Sequence, residues 1–248
     1  MSKYEAVFKR YEKKYLLTKT QYEELSKRLQ GKIVVDDYGV TSIHNIYFDT
    51  PEYQLIRTSL AKPKYKEKLR LRSYHTPTSK DNVFIELKKK YDGIVYKRRM
   101  DMKLEDAVNY LYYPNKQERK QKEGTQIKKE IDWVLHYYKD IMPAMYIGYE
   151  RLACYGVEDH ELRITYDKNI VWRTTQLDLT KGMWGSPLLD NGEVVMEIKI
   201  KGAMPLWLSR ILDECNIYPT SFSKYGRGYE ELIWLKRKET YYGESIIS

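Results

Sequence analysis

The sequence contains few cysteines and histidines, and their positions exclude several kinds of site. Its two cysteines, Cys154 and Cys215, lie far apart and have no metal-ligand spacing, so we expect both to be reduced and buried. Its four histidines are equally scattered, which argues against a histidine-ligated zinc site. The chemistry of this protein therefore has to be sought in other side chains.

Long apolar runs and linker-like stretches are also missing. No run approaches the length of a transmembrane helix, and residues 1–14 are too charged for a signal peptide, so we expect a cytoplasmic protein without a transmembrane segment. No glycine- or proline-rich stretch divides the 248 residues into two parts of ordinary domain size. The expectation is a single domain over residues 1–248, with its core between about residues 8 and 235.

The excess of basic residues predicts an anionic partner. The formal net charge is +9, from 44 Lys and Arg against 35 Asp and Glu. Nucleic acid, anionic lipid, nucleotide and polyphosphate would all be attracted to such a surface, and a basic surface that only maintains solubility is a further alternative. The charge alone does not distinguish among them.

The basic residues are most regularly spaced in residues 66–74, which read KEKLRLRSY. Every second residue of this stretch is a cation, namely Lys66, Lys68, Arg70 and Arg72. Alternate side chains of a β-strand leave opposite faces, so the four cations would share one face and the leucines the other. Taken alone, the pattern is typical of an outer strand whose charged face meets water.

The same alternation returns in other predicted strands. These cover residues 8–17, 41–48, 83–90, 94–102, 145–155, 161–167 and 194–201, and a Glu-x-Lys pair occurs at Glu12/Lys14, Glu86/Lys88 and Glu197/Lys199. Asp92-Gly93 predicts a tight hairpin, and in its second strand we favour Lys97 and Arg99 on the charged face. Each Glu-x-Lys pair could also be a simple cross-strand salt bridge.

Helices with apolar stripes are predicted between the strands. They cover residues 20–29, 52–60, 104–112, 131–141, 205–215 and 229–237. The first is expected to begin with a capping box of Thr20 and Glu23. Residues 115–129 are highly charged, and both a mobile loop and a solvated helix extension remain open for them.

These helices need an apolar surface, which only the uncharged faces of the strands provide. If the helices cover those faces, the charged faces point inward, where desolvating so many cations without partners would cost several kcal/mol each. A solvated tunnel that receives a polyanion avoids this cost. The sequence therefore predicts an α+β fold in which the charged strand faces line a solvated tunnel and the helices pack outside.

The charged motifs also resemble those of a known family. In chain order they are Arg10-x-Glu12-x-Lys14, the KLRLR run ending at Arg72, Glu86-x-Lys88, Arg151, Arg163, Glu197-x-Lys199 and Ser223-Lys224-Tyr225. This series resembles the catalytic domain of vacuolar transporter chaperone (VTC) proteins, polyphosphate polymerases of the triphosphate tunnel metalloenzyme (CYTH-like) superfamily. The resemblance covers residues 8–235. It implies a basic tunnel in an antiparallel barrel, here without additional regulatory and membrane domains.

The resemblance also implies roles for individual residues. The cations expected to contact the reacting phosphoryl groups are Arg70, Arg72, Lys88, Arg151, Arg163 and Lys224. Further phosphate-binding residues are Arg10, Lys14, Lys68, Lys97, Arg99, Lys199 and Tyr225. The carboxylates expected to hold Mn²⁺ or Mg²⁺, with substrate and water completing the shell, are Glu197, Glu12 and Glu86.

The implied reaction is transfer of the γ-phosphoryl group of ATP onto a growing inorganic polyphosphate chain. ATP and polyphosphate are the expected partners, nucleic acid is not expected, and the sequence identifies no protein partner. One alternative uses the same tunnel to hydrolyse inorganic triphosphate or a nucleoside triphosphate. Another is a noncatalytic module that binds polyanions.

Overall fold

The computed structural model describes residues 10–112 and 125–244, with only the backbone given for Arg10 and for residues 239–244. Within these ranges the strands are β1 Arg10–Leu17, β2 Ile33–Asp49, β3 Tyr65–Ser73, β4 Asn82–Tyr91, β5 Ile94–Lys103, β6 Met142–Gly156, β7 Arg163–Arg173, β8 Ser186–Pro187 and β9 Val194–Lys201. The helices are α1 Lys19–Arg28, α2 Gln54–Leu60, α3 Leu104–Tyr112, α4 Gln126–Tyr137, α5 Leu206–Glu214 and α6 Lys224–Glu244, with a 3₁₀ turn at Leu179–Lys181.

The strands form an antiparallel sheet, as predicted. Their hydrogen-bonded order is β1-β9-β7-β6-β2-β3-β4-β5, with β8 paired to β7. The pairs β1/β9, β7/β9, β7/β8, β2/β3, β3/β4 and β4/β5 are all antiparallel. Among the described residues β1 and β5 end this order and do not pair with each other. The sheet is therefore not closed, and the barrel expected from the sequence is not confirmed.

The chain groups into two compact units, each built from separated stretches. The first unit takes its described residues from Met1–Thr41, Tyr149–Ile170 and Leu189–Phe222. The second takes its described residues from Ser42–Gly148, Val171–Leu188 and Ser223–Ser248. The expectation of a single domain stays a prediction.

The core of the first unit lies between its strands and the helices α1 and α5. Strand residues such as Tyr15, Ile164 and Met196 are buried against Leu25 of α1 and Leu208 of α5. Alternate residues of β9 and of parts of β1 and β7 enter this core, so the charged residues between them leave on the other face. Both cysteines are free and buried, as the sequence predicted.

The core of the second unit lies between strands β3 and β4 and helices α3 and α4. Leu69, Leu71 and Ile85 are fully buried there and pack with residues of the two helices, including Leu111 and Val134. Apolar strand faces covered by helices were the basis of the sequence argument, and each unit shows this arrangement. No helix within the described residues has the length and apolar character that crossing a membrane requires.

Several elements begin or end elsewhere than predicted. Helix α1 begins at Lys19, because Thr18, two residues before the predicted N-cap Thr20, is the N-cap and Gln21 completes its capping box. Strand β7 continues to Arg173, where β8 supplies a partner. Strand β2 already begins at Ile33, although Asp36, Asp37 and Gly39 weaken its local strand signal.

Helix α6 begins at Lys224, five residues before the predicted start. Gly226 and Gly228 in the first residues of this helix are both helical and buried. A Cβ atom at Gly228 would lie 2.6 Å from the sulfur of Met145, so glycine permits close packing there rather than a turn. Residues 115–124 and residues 8–9 of the predicted first strand lie outside the described residues.

Candidate functional site

In the second unit, the register of three strands aligns the predicted cations. Arg70 of β3 lies opposite Glu86 of β4, which lies opposite Arg99 of β5. The two-residue turn at Asp92 and Gly93, both with positive φ, sets this register. We call this surface the β3–β5 face and define it as Lys66, Lys68, Arg70, Arg72, Glu86, Lys88, Lys97 and Arg99.

Glu86 is the centre of the β3–β5 face. Its side chain is 1% exposed, and its Oε2 accepts hydrogen bonds from Arg70 Nε at 2.8 Å and Nη2 at 2.6 Å. Its Oε1 accepts from Arg99 Nε at 2.7 Å and lies 2.8 Å from Lys97 Nζ. Lys97 and Arg99 thus share the charged face, as favoured from the sequence, while Arg98 on the other side pairs with Glu130 at 3.1 Å.

The cations decide the protonation state of Glu86. Burial acts to raise the pKa of its carboxyl, but the charges of Arg70 and Arg72 and the hydrogen bond from Lys97 outweigh burial. The pKa of Glu86 lies well below its ordinary value, so the group is a carboxylate at neutral pH. A buried anion that holds several cations in place is well suited to fixing their geometry before a larger anion binds.

Arg72 is held by an amide that the sequence argument missed. Its Nε donates to Asn45 Oδ1 at 2.8 Å, and Asn45 Nδ2 in turn donates to the backbone oxygen of Ile147 at 2.9 Å. Arg72 Nη1 lies 3.8 Å from Glu86 Oε2. The guanidinium, which is only 6% exposed, is therefore positioned by neighbours on two other strands.

A tyrosine that the sequence argument also missed lies against Arg70. Arg70 Nη1 donates to the hydroxyl of Tyr47 at 3.1 Å, and the ring of Tyr47 stacks on that of Tyr225 with 4.5 Å between centroids. Burial acts to raise the pKa of Tyr47, but Arg70, Arg72 and Lys68 outweigh it and lower the pKa to about 8. The phenol thus shares the electrostatic environment of the predicted phosphate-binding cations.

The Ser223-Lys224-Tyr225 motif forms the first turn of α6. Ser223 Oγ accepts from the backbone N–H of Gly226 at 3.1 Å and from Lys68 Nζ at 2.9 Å. The motif therefore begins the helix and holds a lysine of the β3–β5 face at the same time. Lys224 itself is half-buried in this turn.

Tyr225 is anchored by a buried aspartate. Its hydroxyl donates to Asp49 Oδ2 at 2.8 Å, and Asp49 also accepts from the backbone N–H groups of Thr50, Leu55 and Ile56. Asp49 is not among the site residues predicted from the sequence. An aspartate shortly before a helix is a known N-terminal signal, which could have identified its capping of α2.

In the first unit, a second charged surface lies on β1, β9, β7 and β6. Glu12 of β1 pairs in register with Lys199 of β9, which pairs with Arg163 of β7. In the next row, Lys14, Glu197 and Thr165 occupy the corresponding positions. We call this the β1–β9–β7 face and define it as Glu12, Lys14, Arg151, Arg163, Thr165, Asp167, Glu197 and Lys199.

Ion pairs connect most of the β1–β9–β7 face. Lys199 Nζ lies 2.7 Å from Glu197 Oε1, and Lys14 Nζ lies 3.4 Å from Glu12 Oε1. Arg151 donates Nε and Nη2 to the two oxygens of Asp167 at 2.6 and 2.7 Å. Asp167 was not among the predicted site residues, although it shares the parity of Arg163.

The carboxylate of Glu197 is ionised in this environment. Burial acts to raise its pKa, but the charge and hydrogen bond of Lys199, with the charges of Lys14 and Arg151, lower it below the ordinary value. Arg163 is exposed and lies over the ring of Tyr155 at 5.3 Å. Arg10 pairs in register with Lys201 at the end of β1, and its side chain lies outside the description.

The predicted metal ligands differ in how free their carboxylates are to bind a cation. Glu12 and Glu197 are diagonal neighbours across β1 and β9, which suits a metal with few protein ligands. Both oxygens of Glu86 already accept from arginines. Among the described residues no three or more His, Cys, Asp or Glu side chains are grouped as a metal site. The metal assignments remain predictions.

The chain is similar to solved structures of other proteins. A candidate adenylate cyclase from Bacillus halodurans has a similar structure, with a TM-score of 0.51 and 14% identity over 86% of this chain and 92% of that one. A candidate adenylyl cyclase from Hippeastrum, described as having a dominant triphosphatase activity, gives 0.49 and 17% identity over 88% and 93%. The sequence search of curated proteins finds no match.

The family comparison tests the resemblance found in the sequence. The model of the VTC domain matches residues 9–233, which include every predicted site residue. The match confirms the family expected from the ordered charged motifs, since it spans nearly the whole chain. The protein belongs to the VTC domain family.

Proposed function

We propose that this protein is a metal-dependent polyphosphate polymerase that transfers the γ-phosphoryl group of ATP onto a growing polyphosphate chain. The observation that supports this most is the β3–β5 face, where Arg70, Arg99 and Lys97 converge on one buried carboxylate. Membership in the VTC domain family supports the same reaction. A basic tunnel that receives the phosphate chain is part of the proposal.

The spacing of the cations suits a chain of phosphoryl groups. Neighbouring strands lie about 4.8 Å apart, and residues on one face of a strand recur about every 6.8 Å, so the face presents a grid of positive charge. Arginine supplies paired planar donors, and lysines such as Lys68 and Lys88 supply point charges between them. A polyanion with a charge on each phosphoryl unit can contact several of these groups at once.

The reaction needs alignment and charge stabilisation more than a protein nucleophile. A terminal oxygen of polyphosphate attacks the γ-phosphorus of ATP, the bond to the β-phosphate oxygen breaks, and ADP leaves with that electron pair. The attacking oxygen is already anionic, so no general base is required. Arg70 and Arg72 of the β3–β5 face would stabilise the charge that spreads over the transferred group.

Glu197 and Glu12 are the residues proposed to hold Mn²⁺ or Mg²⁺. When bound, the metal would neutralise charge on the phosphoryl oxygens. Lys199 lies 2.7 Å from Glu197 and keeps its carboxyl ionised, the form that a hard cation requires. Glu86 remains a third candidate, although its arginine partners favour an anchoring role.

Incubation with ATP and Mn²⁺ or Mg²⁺ tests the proposal. Gels should show polyphosphate that lengthens with time while ADP is released in equal amount to the phosphoryl groups incorporated. Release of orthophosphate alone would contradict polymerisation and indicate a triphosphatase. Binding of polyphosphate without any turnover would indicate a noncatalytic module. The variant Glu197→Gln should lose metal-dependent turnover.

A further inference from the structure

One buried hydroxyl on the β1–β9–β7 face has no hydrogen-bond partner. Among the described residues, the buried side-chain atoms without a partner are His44 Nε2, Thr165 Oγ1 and the Tyr166 hydroxyl. Thr165 is 2% exposed and lies opposite Glu197 in the register of β7 and β9. A buried hydroxyl that makes no hydrogen bond costs free energy, so its retention calls for a reason.

Thr165 occupies the charged side of β7 and not the core side. Its neighbours Ile164 and Tyr166 belong to the apolar core of the first unit, and side chains alternate along a strand. Asp167, two residues on, shares the face of Thr165 and binds Arg151. The hydroxyl therefore lies among ionised groups, where an unused donor is unexpected.

The carboxylates beside Thr165 are engaged by cations. Asp167 accepts from Arg151 on both oxygens, and Glu197 accepts from Lys199. The charged groups of the β1–β9–β7 face are four cations and three carboxylates, namely Lys14, Arg151, Arg163, Lys199, Glu12, Asp167 and Glu197. The net positive charge favours an anion over a bare cation as the partner of the hydroxyl.

We propose that Thr165 donates a hydrogen bond from Oγ to a nonbridging phosphoryl oxygen of the bound triphosphate or polyphosphate chain. The inference rests on the proposed function for its ligand. The Thr165 hydroxyl would be a neutral hydrogen-bond donor with a fixed direction, in addition to the cations. Such a donor is satisfied only when phosphate is bound, so it favours phosphate binding without adding charge.

The adjacent residues of β7 provide a matched test. Thr165→Val and Tyr166→Phe each remove one unpartnered buried hydroxyl with little change of shape, one on the charged face and one on the core face. Tripolyphosphate binding is measured by calorimetry in the presence of a chelator, and melting temperatures are measured with and without tripolyphosphate. Thr165→Ser keeps a hydroxyl and serves as the conservative variant.

Thr165→Val should melt at or above the wild-type temperature without ligand, yet bind tripolyphosphate roughly fivefold to tenfold more weakly. Tyr166→Phe should also keep or raise the melting temperature but leave the affinity unchanged, and Thr165→Ser should bind nearly as the wild type does. If the Thr165 hydroxyl served only packing, Thr165→Val would not keep or raise the melting temperature while lowering the affinity for tripolyphosphate.

An unchanged affinity of Thr165→Val would overturn the proposal. A loss of affinity seen only when Mn²⁺ is present would also overturn it, because the hydroxyl would then act through the metal. If the wild type binds tripolyphosphate but does not lengthen polyphosphate, the proposed polymerase function fails while the Thr165 contact stands. A wild-type protein that binds no tripolyphosphate would overturn both.

Discussion

Arg70 and Glu86 face each other across β3 and β4, and the guanidinium of Arg70 donates both Nε and Nη2 to a single oxygen of the Glu86 carboxylate. Arg99 approaches the other oxygen from β5. One buried carboxylate thereby orients two arginines from different strands. It fixes their planar donors in place, which reduces the ordering needed when a phosphate chain binds.

The first prediction concerns the removal of this carboxylate charge. Glu86→Gln should lower the free energy of unfolding by roughly 2 to 3 kcal/mol at neutral pH, because the cations lose a charged hydrogen-bond partner. Denaturant titration measures the change. Glu158→Gln, at an exposed glutamate, should have little effect. Wild-type stability in Glu86→Gln would show that the carboxylate does not hold the cations together.

The pair of Arg70 and Glu86 also predicts that the free energy of unfolding depends on pH in the acidic range. The pKa of Glu86 is below its ordinary value of 4.5, so the folded state binds fewer protons than the unfolded state at mildly acidic pH. The stabilisation is therefore present above the ordinary value and is lost as pH falls below it. The difference in unfolding free energy between wild type and Glu86→Gln should shrink over that range. A constant difference would contradict the linkage.

The second prediction uses two adjacent arginines of β5. Arg99 lies on the β3–β5 face, whereas Arg98 pairs with Glu130 of α4 on the opposite face. Arg99→Gln should weaken tripolyphosphate binding about tenfold, since a charge-assisted contact is lost, while Arg98→Gln should leave affinity almost unchanged. Calorimetry measures both. Equal losses would mean that affinity follows overall charge and not the face.

The local sequence pattern predicted those helices and strands whose bounds do not depend on contacts with distant residues. Strand β9 has the predicted bounds, and helix α3 begins at Leu104 as predicted, because each has a clear periodicity. Helix α6 differs because its glycines are explained by close packing, Gly226 against Leu60 and Gly228 against Met145. Contacts between residues distant in sequence decide such a position, and a local pattern does not contain them.

The sequence predicted those site residues whose positions follow from the alternation of side chains along a strand. Side-chain parity placed Lys97 and Arg99 with Glu86, because a tight hairpin leaves little freedom of register. Asn45 and Tyr47 were missed, since each lies in an apolar stretch and acquires its role from an arginine on another strand. Asp167 was missed because its partner Arg151 belongs to a separate strand.

The third prediction concerns Asp49, which joins α2 to the first turn of α6. Asp49→Ala removes acceptors for the N–H groups of Leu55 and Ile56 and for the Tyr225 hydroxyl, so it should lower the unfolding free energy by roughly 3 kcal/mol. Tyr225→Phe should cost about 1 kcal/mol. A double-mutant cycle should give a double variant less destabilised than the sum, and strict additivity would contradict the coupling.

The last prediction concerns the ionisation of Tyr47. Burial acts to raise its pKa, but Arg70, Arg72 and Lys68 lower it to about 8. The ultraviolet absorbance of the wild type should therefore show one more tyrosinate than Tyr47→Phe at about pH 9. Tyr15→Phe is the control, because burial raises the pKa of Tyr15 and its removal should not change this absorbance.

The sign of the effect of Tyr47 on stability follows from the same shift. Its pKa is lower in the folded state than the ordinary value of 10.0, so the stabilisation is fully present above that value and is lost as pH falls through about 8.

Tripolyphosphate bound to the β3–β5 face should raise the pKa of Tyr47, because its charge offsets that of Arg70 and Lys68. The absorbance of the Tyr47 tyrosinate should then appear at higher pH than without tripolyphosphate. A titration unchanged by tripolyphosphate would indicate that the anion binds away from Arg70.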